Sequence, residues 1–139
     1  MTGLWILCAV AVCLVAFGVW KHKHDGRLRE HAGESAPRLT AEQLGTSLGD
    51  KATLVQFTSA FCGPCRATRI VLDDVAGKVP GVVHVDLDVD RHEALVRQFD
   101  VTRTPTVLVL DADGAVVRRA SGQPRKADVI AALGEATPA

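Results

Sequence analysis

Two cysteines separated by two residues, Cys62 and Cys65, are the side chains in this sequence best suited to do chemistry. The apolar run at residues 54–57 before them is typical of a strand, and residues 67–76 after them are typical of a helix. This order places Cys62 at a helix N-terminus, where unpaired backbone N–H groups and the helix dipole stabilise an anion. We therefore predict that Cys62 ionises more readily than a free cysteine and acts as the nucleophile.

Cys65 lies one helical turn after Cys62, within reach of a mixed disulfide formed there. It can attack that disulfide and release the partner as a dithiol, so we predict that Cys65 is the resolving thiol. Gly63 and Pro64 suit a tight helix start better than packing in a core. The pair would work through its own redox-active disulfide, with no bound cofactor.

Zinc binding is the alternative for a Cys-x-x-Cys pair. A structural zinc site needs two further Cys or His ligands at close spacing. Cys8 and Cys13 belong to an apolar block near the N-terminus, and His84 and His92 are separated by a predicted strand-to-helix connection. The sequence therefore favours redox chemistry and predicts no metal site.

The sequence around the cysteines resembles the active site of the thioredoxin family. The motif that carries the resemblance reads Phe61-Cys62-Gly63-Pro64-Cys65-Arg66, and Thr104-Pro105 resembles the cis-proline loop of that family. The resemblance covers roughly residues 39–133. It implies an α/β thioredoxin fold, with a mixed central sheet flanked by helices, and a thiol-disulfide oxidoreductase activity that leans towards reduction.

The resemblance also implies roles for the proline loop. Thr104 would offer backbone hydrogen bonds to a bound substrate strand, and Pro105, after a cis peptide bond, would guard the dithiol. An ordinary trans turn is the alternative interpretation of Pro105.

The sequence departs from the family pattern close to the cysteines. Phe61 replaces the usual tryptophan, Thr58 an aromatic residue and Gln56 the buried aspartate, while Asp86 stands where the family has a lysine. Since an amide cannot accept a proton at neutral pH, Gln56 cannot take over the role of the aspartate in a proton relay. Asp86 is the candidate acceptor for the proton of Cys65, with bulk water as the alternative.

Length and charge limit the classes of function. The 139 residues, 47% of them apolar, have room for one compact domain, and the zero net charge gives no support for nucleic-acid binding. Beyond residue 38, the pattern predicts elements in the order α-β-α-β-α-β-β-α. The predicted signals at helix and turn boundaries are Thr40 with Gln43, Gly49, Gly77, Asp90, Gly114 and Gly134.

Residues 4–20 carry no charge and would form a helix of about 25 Å, at the short end of what crosses a bilayer core. Trp5 and Trp20 lie near its ends, as interfacial aromatic residues do. No basic segment precedes the run, so we predict an uncleaved anchor rather than a signal peptide or a buried core helix. Cys8 and Cys13 would face lipid as small apolar residues.

The predicted domain division is an anchor over residues 1–20, a flexible polar linker over residues 21–37 and a thioredoxin-like domain over residues 38–139. Basic residues follow the anchor and none precedes it, which predicts a cytoplasmic domain, with an extracytoplasmic one as the alternative. These residues are Lys21, Lys23, Arg27 and Arg29. We interpret His22 and His24 in the linker as solvated rather than metal-binding.

These inferences combine into a membrane-tethered protein-disulfide reductase. Its expected partners are disulfide-containing client proteins, an upstream thiol reductant or reductase and the membrane, but no nucleic acid. An extracytoplasmic oxidase or isomerase and a non-catalytic thioredoxin-fold binding module are the competing functions.

Overall fold

The structure is a computed structural model that describes residues 2–24, 29–30 and 36–138, with residues 2, 22–24 and 29–30 described by their backbone alone. Its helices are α1 Thr2–His24, α2 Ala41–Leu44, α3 Gly63–Lys78, α4 Glu93–Gln98 and α5 Lys126–Ala136. Its strands are β1 Arg29–Glu30, β2 Ala52–Thr58, β3 Val82–Asp88, β4 Thr106–Asp111 and β5 Val116–Ser121. From α2 onwards, the order of elements is the one that the sequence predicts.

Within the described residues, the strands form one five-stranded sheet in the order β1-β5-β4-β2-β3. β2 pairs with β3 in parallel and with β4 antiparallel, so the sheet is mixed, as predicted. The parallel register sets Gln56 beside Asp86. The two-residue strand β1, antiparallel to β5, lies in the stretch predicted as linker, where the sequence predicts no strand.

Helices cover both faces of the sheet, and each face has its own apolar core. One core joins the sheet to α3 and α5 through side chains such as Leu54, Leu72 and Leu133. The other joins it to α2 and α4 and contains Phe57 and Phe99. Every residue of β2 is buried, because this strand lies inside the sheet and is covered on both faces. Alternation along β2 therefore directs Leu54 and Gln56 towards α3.

The first helix of the domain begins as predicted but ends earlier. Thr40 and Gln43 form a capping box, with hydrogen bonds of 3.3 Å and 3.0 Å. The prediction that Gly49 ends the helix is wrong. Gly45 caps it in the left-handed conformation at φ 69°. Gly49 is instead packed so closely that a Cβ atom there would lie 2.1 Å from a backbone oxygen.

Gly77 and Gly134 were predicted to end helices, but both lie inside them. α3 continues through Gly77 to Lys78, and α5 continues through Gly134 to Ala136. A glycine inside a helix costs only about 1 kcal/mol, and Ala136 is buried in the core beyond Gly134. In α5, packing of the turn after Gly134 therefore outweighs the local preference of glycine, whereas α3 ends one residue after Gly77.

Asp90 does not cap α4, contrary to the prediction. The N-cap is His92, with no side-chain capping bond, and the backbone N–H of Asp90 donates to the carboxylate of Asp88 in a preceding turn. The predicted hairpin between β4 and β5 is confirmed, and Gly114 lies at φ 80° in its turn.

The segment Gly3–Lys21 within α1 has a mean hydropathy of 2.4 over 19 residues, and none of it is buried. Length and composition allow it to cross a membrane, and a signal sequence shares both properties. The helix continues to His24, beyond the end of the predicted anchor at residue 20.

Candidate active site

Cys62 occupies the N-cap of α3, at the point where the chain leaves β2 and turns into the helix. Its sulfur accepts a hydrogen bond of 3.2 Å from the backbone N–H of Cys65, and Pro64 lies in the first turn, where its missing N–H costs no hydrogen bond. The prediction that Cys62 sits at a helix N-terminus is therefore confirmed.

Cys62 and Cys65 are joined by a disulfide with an S–S distance of 2.03 Å. Cys65 is buried, at 2% exposure, whereas Cys62 is partly exposed. An attacking thiol must meet a protein-sized partner, and a resolving thiol needs to reach only its neighbour. The difference in burial therefore supports the predicted order of Cys62 first and Cys65 second.

Phe61 stands next to the disulfide with its ring fully exposed to solvent. Its φ of 60° lies in the left-handed region, where a non-glycine residue costs about 1–2 kcal/mol. Gly63 and Pro64 on the other side of Cys62 are also exposed. Together these residues offer an apolar surface around the reactive sulfur.

The loop before β4 brings Thr104 to the cysteine pair. The Thr104–Pro105 peptide bond is cis, as the resemblance implies. The Thr104 hydroxyl donates to the Cys62 sulfur over 3.7 Å and lies 2.8 Å from the Ser59 hydroxyl. Ser59 was not predicted as a site residue. Its position between a buried strand and the cysteines was the available signal.

Gln56 lies beneath the pair and is completely buried. Its Nε2 donates a hydrogen bond of 2.8 Å to the carbonyl oxygen of Cys65, while its Oε1 has no hydrogen-bond partner among the described residues. A neutral amide therefore occupies the position next to the resolving cysteine.

Asp86 points towards α3, on the same face of β3 as Val82 and His84. Its Oδ1 accepts a hydrogen bond of 2.8 Å from the Thr58 hydroxyl, and its Oδ2 accepts one of 2.5 Å from Nε of Arg69. Arg69, one turn after Cys65, also forms an ion pair with the carboxylate. Sequence reasoning missed Arg69 because its partner depends on the rotation of α3 over the sheet.

A pocket of about 470 Å³ opens beside the disulfide. It is lined by Ser59, Phe61, Cys62, Gly63, Cys65, Arg66 and Arg69. The sequence motif predicted five of these as site residues, and the fold adds the serine and the second arginine. Two guanidinium groups line this pocket, and the charge of the Arg69 group is compensated by Asp86.

The histidines that a zinc site would need have other partners. His84 Nδ1 lies 2.6 Å from the Asp73 carboxylate, and His92 Nδ1 lies 2.9 Å from the carbonyl oxygen of Asp88. In residues 2–24, 29–30 and 36–138, no group of three or more His, Cys, Asp or Glu could hold a metal ion. The side chains of His22 and His24 lie outside the described part of the structure.

Two thioredoxins are similar to this chain in sequence. A thioredoxin from Mycolicibacterium smegmatis is 37% identical over 101 residues, covering 70% of this chain and 87% of that protein. The thioredoxin H-type 1 of Nicotiana tabacum is 36% identical over 72 residues, covering 52% of this chain and 56% of that protein.

Solved structures of the same fold agree. The thioredoxin of Fasciola hepatica superposes with a TM-score of 0.56 at 27% identity, covering 64% of this chain and 84% of that chain. A chloroplastic thioredoxin z superposes with a TM-score of 0.59 at 24% identity, covering 76% and 97%, respectively. The thioredoxin family model matches residues 37–135. The chain therefore belongs to the thioredoxin family and is a thiol-disulfide oxidoreductase of the disulfide-reductase type.

Proposed function

We propose that this reductase acts on protein disulfides while its N-terminal helix holds it at a membrane. The observation that carries the redox part is the Cys62–Cys65 disulfide at the N-terminus of α3, with one sulfur accessible and the other buried. The observation that supports tethering is the exposed apolar segment Gly3–Lys21.

The proposed cycle is an exchange of disulfides. The Cys62 thiolate attacks one sulfur of the client disulfide, the client S–S bond breaks, and the other client sulfur leaves as a thiolate. Cys65 then loses its proton and attacks Cys62 in the mixed disulfide. This step forms the Cys62–Cys65 bond and releases the second client sulfur. The client gains two electrons and, from solvent, two protons.

An upstream dithiol or reductase must return the pair to its reduced form. It would attack the Cys62–Cys65 disulfide and become oxidised to a disulfide itself, which balances the two electrons passed to the client. The sulfur of Cys62 is the accessible point of attack, because Cys65 is buried.

The client would bind across the exposed surface around Cys62. The Phe61 ring and Pro64 supply apolar contact, and the Thr104 hydroxyl lies 3.7 Å from the Cys62 sulfur, next to the buried Pro105, in the proposed substrate site. The backbone of Thr104 would pair with an extended client segment, as a strand adds to an exposed edge.

Two acceptors remain as hypotheses for the proton of Cys65. Asp86 lies beside Gln56 in register and faces the same helix, but Thr58 and Arg69 use both of its oxygens. Each carboxylate oxygen has two lone pairs, so Asp86 can still take a proton delivered through water while these donors stay in place. Solvent is the other acceptor, and the two hypotheses differ in the effect of Asp86→Asn.

The side of the membrane is a separate proposal. Basic residues at and just beyond the C-terminal end of the helix favour a cytoplasmic domain, since short basic flanks are translocated poorly. Of these, Lys21 lies within the described helix, and Arg27 lies outside the described residues. An extracytoplasmic domain would require the opposite insertion.

Reduction of insulin by dithiothreitol tests the proposed reductase function. The full-length protein in detergent is expected to accelerate precipitation of the insulin B chain, and a Cys62→Ser variant is expected to act no faster than dithiothreitol alone. A protein that leaves the rate unchanged while its disulfide cycles normally would be a binding module instead.

A further inference from the structure

Two hydroxyl groups form a chain that ends on the reactive sulfur. Ser59 follows β2, and Thr104 belongs to the loop before β4, so two distant segments contribute to it. The hydroxyl oxygens are 2.8 Å apart, and the second is 3.7 Å from the Cys62 sulfur. The exchange cycle described above uses neither hydroxyl.

The number of hydroxyl hydrogens sets the direction of donation along these two hydrogen bonds. A hydroxyl carries one hydrogen, so Thr104 cannot donate to both the sulfur and Ser59. When Thr104 donates to Cys62, its oxygen is left as the acceptor for the Ser59 hydroxyl. Each donor polarises the next one in such a chain, which strengthens the last bond.

The final acceptor changes most between the two redox states. A sulfur in a disulfide is a weak, uncharged acceptor, whereas a thiolate carries a full negative charge and binds donors more strongly. We propose that the Ser59–Thr104 hydroxyl pair stabilises the Cys62 thiolate in the reduced enzyme. Thr104 is then a catalytic residue, because it touches the reacting sulfur, and Ser59 is a positioning residue that acts through Thr104. This proposal rests on Cys62 being the attacking thiol.

Other groups act on the same sulfur and stay constant in the test. The backbone N–H of Cys65 donates to it, and Arg66 and Arg69 line the adjoining pocket, with Arg69 paired to Asp86. Arg103 precedes Thr104 in the loop. Because substitutions of the two hydroxyl residues leave these charges in place, a change in ionisation reports the hydroxyl chain itself.

The experiment is a pH titration of the reduced full-length protein in detergent. Thiolate absorbance at 240 nm and the rate of alkylation by iodoacetamide are followed for the wild type, Thr104→Val, Ser59→Ala and the double variant. Thr104→Val keeps the shape of the side chain and removes the donor. It is expected to lower the alkylation rate on the acidic side of the titration about threefold, as expected for one weak hydrogen bond to an anion.

Ser59→Ala is expected to shift the titration in the same direction by less. The double variant should match Thr104→Val alone, because Ser59 acts only through Thr104. Thr104→Ser, which keeps the hydroxyl, should restore the wild-type titration. Ser47→Ala, an exposed hydroxyl on a remote loop, serves as the control and should change nothing.

A titration unchanged in folded Thr104→Val would overturn the proposal, and so would additive shifts in the double variant. If Thr104→Val does not fold, the Ser59 variants decide the outcome. An unchanged titration of Cys62 in Ser59→Ala would overturn the proposal. A shifted titration in Ser59→Ala, together with a wild-type titration in Ser59→Thr, would support it. Insulin reduction is measured in parallel. A protein that reduces insulin but shows no shift contradicts only the role of the hydroxyls.

Discussion

Gln56 donates a hydrogen bond of 2.8 Å from its side-chain amide to the backbone carbonyl of Cys65. The amide is completely buried, and its oxygen has no hydrogen-bond partner in the described part of the chain. A buried acceptor without a partner costs about 1–3 kcal/mol relative to a satisfied one. The resolving cysteine thus lies beside a polar group that keeps the same charge at every pH of interest.

Gln56→Asp would place an ionisable group at this position. Burial disfavours the charged form, so the pKa of the introduced carboxyl should rise above its unfolded value near 4. The folded state then binds more protons than the unfolded state, and stability falls as pH rises through that interval. Between pH 4 and pH 8, we expect the free energy of unfolding to fall by about 1–3 kcal/mol more in the variant than in the wild type, as measured by urea unfolding.

Gln56→Asn is the matched control, because it shortens the side chain in the same way without adding a titratable group. The difference in free energy of unfolding between Gln56→Asn and the wild type should not vary with pH. Equal pH dependence in the aspartate and asparagine variants would contradict the picture of a dry, buried site beneath Cys65.

Variants of the two cysteines test their order of action. Cys65→Ser removes the resolving thiol, so mixed disulfides between Cys62 and client proteins should accumulate. Cys62→Ser should trap none, because the remaining thiol is buried. The trapped species are counted on non-reducing gels after acid quenching. Similar trapping by both variants would contradict the assignment of Cys62 as the nucleophile.

Asp86→Asn separates the two hypotheses for the proton of Cys65. If the carboxylate takes the proton, release of the reduced client should slow about tenfold while attack by Cys62 stays nearly unchanged. Stopped-flow measurement of both steps against pH distinguishes them. Thr58→Val, which removes one donor to Asp86 and keeps the carboxylate, is the companion variant. An unchanged second step and pH profile in Asp86→Asn assigns the role to solvent.

The sequence alone was sufficient for the cysteine pair, the strand and helix around it and the order of the elements after residue 38. These depend on local spacing, which a single sequence contains. The contacts of Arg69 with Asp86 and of Ser59 with Thr104 could not be read from it. They require the rotation of α3 and the docking of the loop before β4, which only the packed fold determines.

The errors at helix ends have the same origin. The sequence favours Gly49 as the end of α2, but the left-handed C-cap falls on Gly45. Gly134 lies within α5 because the following turn packs against the core, which outweighs the local preference of glycine, whereas α3 ends one residue after Gly77.

Protection from protease tests the proposed arrangement at the membrane. In intact cells, added protease should leave the domain whole if it faces the cytoplasm, and lysis should make it accessible. A membrane-impermeant thiol reagent should likewise label reduced Cys62 only after lysis. Labelling in intact cells would support the extracytoplasmic alternative, and a mature chain that starts after residue 20 would contradict the uncleaved anchor.

Asp74 links α3 to α5 and predicts part of the acid sensitivity of the domain. The ammonium groups of Lys126, at 2.5 Å, and Lys78, at 2.6 Å, lower the pKa of its carboxyl from the ordinary value of 3.8 to about 2. The Asp74 carboxyl therefore binds a proton less tightly in the folded state than in the unfolded state. The contribution to stability is complete above pH 3.8 and is lost as pH falls towards 2.

Asp74→Asn should consequently be less stable than the wild type at pH 7. This difference in free energy of unfolding should shrink as the pH falls below 4. The carboxylate lies at the surface, so the difference should be small and should also shrink in 0.5 M salt, because mobile ions screen exposed pairs. Urea unfolding of both proteins at pH 7 and pH 3, at low and high salt, measures this. Asp113→Asn, in the exposed hairpin turn, is the control for loss of one surface charge. A difference that is as large at pH 3 as at pH 7, or that the control reproduces, would contradict the role of Asp74 as the link between the two helices.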